Sequence, residues 1–572
     1  MIALVAATAA GRAKARHLAS VLPEAQLLPG RPGEALPDAF ARASGIVVFL
    51  ATGIAVRLLA PLLSDKRRDP GVVCVDDAGR FAIALTGGHA GGANRLAERV
   101  AGALGAAPVI TTASEATGLP GLEALAQDNG FGIEPGGDLA AVGAALVGGE
   151  RVALVSDRRR PIGPLPPNVV GDRGARSGPA IVIDDRLGEP PRPAVVYRPP
   201  SLVVGVGASR GASADQIMAL IDGALADAGL AGASVAALAS VDAKAGEPGL
   251  VAAARVLARP LRLHPASALA GIEVPNPSEA VRLAVGTPSV AEAAALREAG
   301  TGAELVVPKR RSAEATVAVA RRAVRGRLAL VGLGPGDEAL LPPLARRALA
   351  RAEVVVGLAR YVESVRHLLR PGTRTEPYRL GEELKRCQRA IGEAAAGGSV
   401  ALVSSGDPGV YAMASPALEQ PGIERVDVEV VPGVTAAHAA AALAGSPLGH
   451  DHCSISLSDL LTPWEAIRER VRAAAEADFV VSFYNPRSRE RDWQLDEARE
   501  LLLERRPGYT PVAMVSDAHR PGQRVTLTTL DQLDAAEASM ATTVIVGSSQ
   551  TRMVDGRMVT PRGYRAAVEA AR

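Results

Sequence analysis

The sequence has few of the residues that mark several common classes of protein. Its 572 residues include only three cysteines, Cys74, Cys387 and Cys453, and none of them form a CxxC pair. This distribution excludes a zinc or iron–sulfur signature and a disulfide framework, and it favours a reducing compartment. No apolar run reaches the ~18 residues that a helix needs to cross a membrane.

A strong charge of one sign is also missing. The chain carries 63 basic and 61 acidic residues, which gives a formal net charge of +2, and both signs are mixed along its length. We therefore expect no nucleic-acid partner and no membrane partner. The first positive charge, Arg12, follows an apolar start, whereas a signal peptide has the opposite order. The sequence thus predicts a cytoplasmic protein that begins with a buried strand.

Aromatic residues make up only 3% of the chain, while alanine, glycine and valine dominate. Small side chains suit helices that pack closely on sheets, so we predict a multidomain α/β fold with parallel or mixed sheets flanked by helices. A chain of 572 residues is too long for one core and implies ~3 to 5 domains. The predicted division is 1–118, a middle region and linker at 119–200, 201–325, and 326–572.

Strand and helix signals alternate through the first predicted domain. This order predicts a parallel sheet with helices on both faces, and ligands of such sheets bind at the carboxyl ends of strands. Two glycine-containing stretches, 51–54 and 86–94, fall at such ends. The predicted elements are strands at 45–50, 81–85 and 108–112 and a helix at 95–104.

The middle region is less regular. It contains one clear pair of strands, at 152–155 and 180–183, and the prolines within 190–200 predict a linker. The next domain begins at Leu202. Its predicted elements are a strand at 202–207, a helix at 213–228, a strand at 235–239 and a closing helix at 312–325.

A glycine-rich loop opens the last predicted domain. The sequence GLGPGD, residues 332–337, lies between a predicted strand at 327–331 and a helical stretch at 338–351. A dinucleotide fingerprint needs G-x-G-x-x-G and an acidic residue ~20 positions later. Here Pro335 removes a backbone N–H, and the next predicted strand, 353–357, ends in glycine. Taken alone, the loop is compatible with a ligand site and with a structural turn.

Four later strands end in the same manner, with glycine, proline and small polar residues after the last apolar position. Glycine at a strand end lets a ligand approach the backbone, because no Cβ stands in the way. The strands and the segments that follow them are 399–404 with SGDPGVY, 428–431 with PGVTAA, 479–483 with YNPRS, and 543–546 with GSS.

Seven motifs in this part of the chain together resemble the tetrapyrrole methylase family and, within it, the precorrin-3B C-17-methyltransferases of cobalamin biosynthesis. The motifs are VGLGPGD, SSGDPGVY, VVPGVTAA, GSPLGHD, SDLLTPW, FYNPRS and TTVIVGSS. The resemblance covers residues 327 to about 564. It implies two α/β domains with S-adenosylmethionine in the cleft between them, methylation of a tetrapyrrole at C-17 with ring contraction, and a homodimer.

The resemblance also implies site residues. Asp407 would accept hydrogen bonds from the hydroxyl or ammonium groups of S-adenosylmethionine, although a helix N-cap is the alternative role. Methyl transfer needs mainly orientation and water exclusion, which contribute ~7–11 kcal/mol when the reacting atoms are well aligned. The implied S-adenosylmethionine contacts are Pro335, Gly406, Asp407, Val410, Thr435, Ala436, Tyr484, Ala513 and Thr543.

Ring contraction also requires proton transfer, for which His450 and Asp459 are the candidate acid and base. A purely structural histidine is the alternative. Arg487 and Arg489, with Arg491 close by, are candidates for binding the carboxylates of the substrate. A solvated charged surface is an equally good interpretation of these arginines. No metal site is predicted.

The N-terminal half resembles the cobalt-precorrin-5A hydrolases, which open a lactone on the macrocycle and release acetaldehyde. The similar segments are LTGGHAGGANRLA at 85–97, FLATGIAVR at 49–57, TTASE at 111–115 and several motifs within 202–320. Lactone opening needs an activated water and a group that stabilises an oxyanion. His89 is the candidate base and Asn94 the candidate donor, together with backbone N–H groups of the glycine-rich turn. A structural turn is the alternative.

Two departures from the hydrolase pattern leave the activity of this half open. Ala208 replaces an expected cysteine, and Glu115 replaces an expected aspartate. The leading hypothesis is therefore an enzyme with both activities, and the alternative is a methyltransferase fused to a non-catalytic module that binds the macrocycle. A nicotinamide dehydrogenase and a methyltransferase that acts on a protein histidine fit the motifs less well. Whether the substrate carries cobalt stays open.

Overall fold

The chain divides into two compact units, which are described separately. Unit 1 consists of Met1–Arg158 and Leu165–Ala323, and unit 2 consists of Arg159–Pro164 and Val324–Arg572. The computed structural model describes residues 1–65, 68–88, 91–111, 121–488 and 491–564. Within these ranges, no helix has the length and apolar character that crossing a membrane requires.

The first sheet of unit 1 has six strands in the order β2-β1-β3-β4-β5-β6. Two helices cover one face and two cover the other, as the alternating pattern predicted. The sheet is mixed, however, because β4 and β5 are antiparallel. The five residues 76–80 between them are too few for a parallel crossover. The strands are β1 Ile2–Ala6, β2 Ala25–Leu27, β3 Gly45–Phe49, β4 Gly71–Val75, β5 Phe81–Thr86 and β6 Ala107–Val109.

The second sheet of unit 1 has the order β7-β11-β10-β8-β9. Its strands are β7 Gly132–Ile133, β8 Val152–Ser156, β9 Val169–Gly171, β10 Ala180–Ile183 and β11 Ala194–Arg198. The predicted pair β8 and β10 is present and parallel. The predicted linker at 190–200 is wrong, since β11 lies inside the sheet and all five of its residues are buried. Prolines flank this strand, where their missing N–H breaks no ladder.

The third sheet of unit 1 has the order β14-β13-β12-β16-β15. Its strands are β12 Leu202–Ala208, β13 Val235–Val241, β14 Leu261–His264, β15 Glu304–Arg311 and β16 Ala315–Arg321. The predicted helix at 312–325 is wrong, because β16 pairs with β12 and with β15. The segment is buried along nearly its whole length, so it has no polar face of the kind that a surface helix needs.

The first sheet of unit 2 is wholly parallel, with the order β19-β18-β20-β17-β21. Helices cover both of its faces. The predicted helix at 338–351 is shortened to Pro343–Arg351 after a single 3-10 turn, because two prolines, Pro342 and Pro343, interrupt it. The strands are β17 Arg327–Gly332, β18 Val354–Leu358, β19 Arg374–Tyr378, β20 Ser399–Ser404 and β21 Asp427–Val431.

The second large sheet of unit 2 is mixed, with the order β23-β24-β27-β25-β26, and a small sheet has the order β22-β29-β28. Strands β23, β24 and β25 run in one direction, since β23 is parallel to β24 and both β24 and β25 are antiparallel to β27. The strands are β22 Gly445–Ser446, β23 His452–Ser456, β24 Val480–Tyr484, β25 Pro511–Ser516, β26 Arg524–Thr529, β27 Thr542–Val546, β28 Arg552–Val554 and β29 Arg557–Val559.

The helices connect these strands along the chain and pack their apolar sides on the faces of the sheets. Those of unit 1 are Ala9–Val21, Pro32–Arg42, Thr52–Leu59, Ala93–Leu104, Leu122–Asp128, Leu139–Val147, Ala214–Asp227, Pro248–Val256, Ala266–Ala270, Glu279–Val285 and Val290–Ala299. Those of unit 2 are Pro343–Arg351, Ala359–Val365, Glu383–Ala395, Ala414–Leu418, Ala436–Ala444, Trp464–Glu476 and Gln494–Leu503. The 3-10 helices are Ala60–Leu62, Gly232–Ser234, Asp242–Lys244, Glu338–Leu340, Arg366–Leu368, Ile423–Arg425 and Ala535–Glu537.

Candidate functional site

Three neighbouring strands of unit 2, β20, β17 and β21, end in glycine-containing loops that touch one another. A Cβ on Gly332 would lie 2.7 Å from the carbonyl oxygen of Gly406 and 2.8 Å from the nitrogen of Gly433. A Cβ on Gly433 would lie 2.2 Å from the same carbonyl oxygen. All three distances are shorter than non-bonded atoms tolerate, so the backbones can meet only because Gly332 and Gly433 carry no Cβ. We call this arrangement the glycine cradle.

The cradle is held by backbone and carboxylate hydrogen bonds. Gly334 and Gly406 each donate an N–H to the carbonyl of the other, at 3.1 and 2.8 Å. Asp407 Oδ1 accepts from the N–H of Gly409 at 2.8 Å, and Oδ2 accepts from the N–H of Gly433 at 3.0 Å. Asp407 therefore connects two loops and does not cap a helix. Each carboxylate oxygen has a second lone pair, which leaves acceptor capacity for a ligand.

A tyrosine from the second sheet reaches the same place. Tyr484, the last residue of β24, lies with its hydroxyl 2.6 Å from Thr435 Oγ1, and the N–H of Ala437 donates to it at 3.0 Å. Thr435 precedes the helix Ala436–Ala444 and is buried. Tyr484 thus satisfies a free N–H in the first turn of this helix, in the place of a side-chain cap.

Tyr411 lies beside Tyr484 in a strained backbone conformation. Its φ is +50°, which is rare for a bulky residue. The two rings are 5.1 Å apart, and the Tyr411 hydroxyl donates to the carbonyl of Ser454 at 2.9 Å. Partial burial raises the pKa of Tyr411. Strain of this kind concentrates at functional sites.

The remaining predicted contacts divide into two groups. Val410 and Ala436 are half-buried beside the cradle, while Pro335 is buried and its carbonyl accepts a hydrogen bond from Arg520 Nε. Ala513 has no exposed surface and packs in the core of the second sheet. Its contact with S-adenosylmethionine stays a prediction. Thr543 is nearly buried within β27, with 6% of its surface exposed.

The two candidate acid–base residues are not brought together. His450 precedes β23 and Asp459 follows it, and a strand of five residues is about 16 Å long. His450 is exposed, and its Nδ1 accepts from the N–H of Asp451 at 2.8 Å. Asp459 accepts from Gln494 Nε2 at 3.0 Å. The role of either residue as a general acid or base stays a prediction.

The candidate carboxylate-binding arginines are mostly engaged in the fold. Arg491 is buried and donates to Ser458 Oγ at 3.0 Å and to the carbonyl of Asn485 at 2.9 Å. Burial lowers its pKa, against the attraction of Asp459. Arg487 donates to the carbonyl of Asp492 at 3.0 Å and remains partly exposed. Arg489 lies outside the described residues.

In unit 1, Gly87 and Gly91 of the glycine-rich segment pack against the start of β4. A Cβ on Gly91 would lie 2.6 Å from the nitrogen of Gly71, so packing already explains this glycine. The N–H groups of Ala93 and Asn94 donate to the carbonyls of Gly87 and Gly88 at 3.0 and 3.1 Å. These two N–H groups are therefore engaged within the turn, and the oxyanion hole stays a prediction.

Four further residues bear on the predicted hydrolase activity, and two of them are described by the structure. His89 and Glu115 lie outside the described residues. The side chain of Asn94 is buried in the helix Ala93–Leu104. Ala208 is the last residue of β12 and is also buried.

Sequence reasoning missed two residues of the candidate site. Tyr411 is the last residue of the SSGDPGVY motif, and its position two residues after Gly409 is the signal that could have found it. Arg520 belongs to none of the seven motifs, and its contacts with Pro335 and Gly336 are visible only in the folded structure. Its side chain lies against Gly336, where a Cβ would come within 2.5 Å of Arg520 Cγ. Arg520 thus connects the loop after β25 to the loop after β17.

Comparison with known proteins gives matches over most of the chain. The model of the Tetrapyrrole (Corrin/Porphyrin) Methylases matches residues 327–534. A protein of Salmonella typhimurium named "Probable cobalt-factor III C(17)-methyltransferase" is 47% identical over 242 residues, which are 41% of this chain and 99% of that protein. The chain belongs to the tetrapyrrole methylase family. The resemblance predicted from the seven motifs is thereby confirmed.

Two further tetrapyrrole methylases are similar to the same region. A protein of Sinorhizobium sp named "Precorrin-3B C(17)-methyltransferase" is 46% identical over 252 residues, 42% of this chain and 98% of that protein. The crystal structure of the methyltransferase CobJ is 40% identical in sequence and has a TM-score of 0.39. The match covers 41% of this chain and 100% of the CobJ chain.

The N-terminal half matches three other family models. Cobalamin synthesis G N-terminal matches residues 34–115, Cobalamin biosynthesis central region matches 120–199, and Cobalamin synthesis G C-terminus matches 202–320. The predicted combination of an N-terminal half related to cobalamin biosynthesis with a tetrapyrrole methylase is therefore confirmed, as is the multidomain α/β fold.

Proposed function

We propose that the protein transfers a methyl group from S-adenosylmethionine to C-17 of precorrin-3B, or of its cobalt-bound counterpart, with contraction of the ring. The observation that carries the proposal is the 47% identity over 99% of the Salmonella protein. The glycine cradle lies within the matched region, in motifs typical of the wider family, and SDLLTPW and FYNPRS are the motifs typical of this group of methylases.

The residues at the cradle fit S-adenosylmethionine. The glycines let the three loops pack closely together, and Val410 and Ala436 beside them are half-buried apolar residues. Asp407 keeps acceptor capacity for hydroxyl or ammonium groups. Ser404 Oγ, at the end of β20, is buried and has no hydrogen-bond partner among the described residues, so a polar ligand would satisfy it. When bound, S-adenosylmethionine supplies an electrophilic methyl group.

The chain's own residues act by orientation. The cradle fixes the loops after β17, β20 and β21 relative to one another, and Tyr484 fixes the start of the helix Ala436–Ala444. A ligand held this way loses little further freedom on reaching the reactive geometry. Tyr411 packs its ring against Tyr484 and adds a partly apolar side chain beside the cradle.

Mass spectrometry of the reaction products tests the proposal. The full chain would be incubated with S-adenosylmethionine and either precorrin-3B or cobalt-factor III. We expect one of the two macrocycles to gain a single methyl group and a contracted ring, and the preferred one shows whether the substrate carries cobalt. Failure to methylate either, despite binding of S-adenosylhomocysteine, would contradict the proposed acceptor.

We further propose that the N-terminal half, divided at residues 1–118, 119–200 and 201–325, opens the lactone of cobalt-precorrin-5A. The three cobalamin-synthesis models that match residues 34–320 support this activity. His89 is the proposed base. Residues 326–572 would then form the methyltransferase, and the protein would act as a homodimer.

Acetaldehyde release from cobalt-precorrin-5A tests the second activity. The wild-type chain should release acetaldehyde, and His89→Ala should abolish the release. His17→Ala is the matched control, because His17 is an exposed histidine on the first helix. Binding of the macrocycle without acetaldehyde release by the wild type would instead support the non-catalytic module.

A further inference from the structure

Two adjacent leucines next to the candidate site are open to solvent. Leu460 is 83% exposed and Leu461 is 93% exposed. The exposed fraction of each is larger than that of any other large apolar side chain in the described part of unit 2. They form the tip of the loop between β23 and the helix Trp464–Glu476. A single exposed leucine is ordinary, but a neighbouring pair at a loop tip requires an explanation.

The base of this loop is held firmly. The N–H of Ser458 donates to Ser456 Oγ at 3.3 Å, and buried Arg491 donates to Ser458 Oγ at 3.0 Å. Gln494, also buried, donates to Asp459 Oδ2 at 3.0 Å. The leucines therefore lie on a loop whose base is fixed by hydrogen bonds, and they are exposed although this base is well ordered by contacts.

The loop begins beside the residue that completes the cradle. The N–H of Leu457 donates to the carbonyl of Tyr484 at 2.9 Å, and Asn485 Nδ2 donates to Ser456 Oγ at 3.0 Å. Loop and cradle thus share Tyr484, the side chain that also contacts Thr435. Leu460 and Leu461 follow Leu457 by only three and four residues, so the loop that carries them begins at the candidate site.

We propose that Leu460 and Leu461 contact the ring face of the tetrapyrrole substrate. This inference rests on the proposed function and adds to it the residues that hold the acceptor. A tetrapyrrole is a flat, largely apolar ring with carboxylates at its rim, so an apolar contact suits its face. Covering the leucines removes their apolar surface from water, which favours binding without any chemical role for either residue.

The two tryptophans of the chain provide a direct measure of binding. Trp464 follows the loop, Trp493 lies 5.0 Å from it between ring centroids, and no other tryptophan occurs in the sequence. A conjugated macrocycle bound at the loop absorbs their emission. Titration of the full chain with cobalt-factor III should therefore quench tryptophan fluorescence and give a Kd.

The decisive variant is Leu460→Ser with Leu461→Ser. We expect its Kd and KM for cobalt-factor III to rise about tenfold or more, with kcat and the affinity for S-adenosylhomocysteine unchanged. Replacement of both leucines by methionine should restore wild-type values, because the apolar surface is kept. Tyr509→Ser is the control, since Tyr509 is 76% exposed and precedes β25, at the opposite end of the parallel strands.

Three results would overturn the inference. One is an unchanged Kd and KM in the double serine variant. Another is the absence of quenching in the wild type. The third is a wild-type oligomer that the double serine variant dissociates in light scattering, which would assign the leucines to a second copy of the chain. Quenching that is lost in the variant, in a protein that fails to methylate, would support the inference while contradicting the proposed function.

Discussion

Asp407 shows how a single residue organises the candidate site. Its two carboxylate oxygens accept N–H groups from two different loops, so the side chain fixes the spacing of those loops before any ligand arrives. The predicted contact of Asp407 with S-adenosylmethionine stays a prediction, and the sequence did not predict that this side chain connects two loops. Contacts between distant loops depend on the tertiary fold, which no local pattern reports.

Asp407→Asn tests this role. Asparagine offers one oxygen where aspartate offers two, so one N–H would face an amide NH₂ group and lose its acceptor. An unsatisfied N–H costs about 1–3 kcal/mol, and we expect the affinity for S-adenosylhomocysteine to fall about ten- to a hundredfold in calorimetry. Asp427→Asn is the control, because Asp427 is an exposed carboxylate at the other end of β21. Equal affinities for both variants would contradict the role of Asp407.

The cysteines give a prediction about pH. Burial raises the pKa of Cys387 to about 11, so less than about 1% of this thiol is ionised at pH 8. Because the thiolate is the reactive form, iodoacetamide should leave Cys387 unmodified in the native protein at pH 8. Its labelling rate should rise about tenfold per pH unit until the pKa is reached. Peptide mass spectrometry measures the labelling, and rapid modification of native Cys387 at pH 8 would show the prediction to be wrong.

At the scale of elements, the strand ends are where sequence reasoning worked best. The predicted bounds of five strands agree with the structure to within one residue at both ends, because short β-branched runs followed by glycine or proline are a local signal. These strands are β17, β20, β21, β24 and β27. The strand β16 was missed, since an alanine-rich segment satisfies helix and strand patterns alike. Its partners β12 and β15 decide its structure, and one of them lies more than a hundred residues away in the chain.

Gly433→Ala tests the glycine cradle. The new Cβ would lie 2.2 Å from the carbonyl oxygen of Gly406 and 2.9 Å from that of Gly332. Because these are backbone atoms and cannot rotate away, the loops must separate. We expect a loss of about 1–3 kcal/mol in the free energy of unfolding and at least a tenfold loss of affinity for S-adenosylhomocysteine.

Gly392→Ala is the matched control for this variant. Gly392 lies in the helix Glu383–Ala395, and a Cβ there would meet nothing within 4 Å. The free energy of unfolding should therefore increase by about 0.5–1 kcal/mol. Denaturant titration measures both variants. A Gly433→Ala protein as stable as the wild type would show that the loops do not require this glycine.

At the scale of the whole molecule, each unit has its own hydrophobic cores. The core clusters of unit 1 contain no residue of unit 2, and the reverse also holds among the described residues. We therefore expect calorimetry of the full chain to resolve more than one unfolding transition. S-adenosylhomocysteine at a hundred times its Kd should stabilise one transition by about 2.7 kcal/mol and leave another unchanged. A single transition that shifts as a whole would contradict independent units.

The central claim is methyl transfer to C-17 of a tetrapyrrole. Its most direct measurement is ¹³C NMR of the macrocycle formed by the full chain from cobalt-factor III or precorrin-3B and S-adenosylmethionine labelled in its methyl group. We predict one labelled methyl carbon, bonded to C-17 of a contracted ring. A label on any other ring carbon, or an unlabelled macrocycle in the presence of bound S-adenosylhomocysteine, would contradict the proposed function.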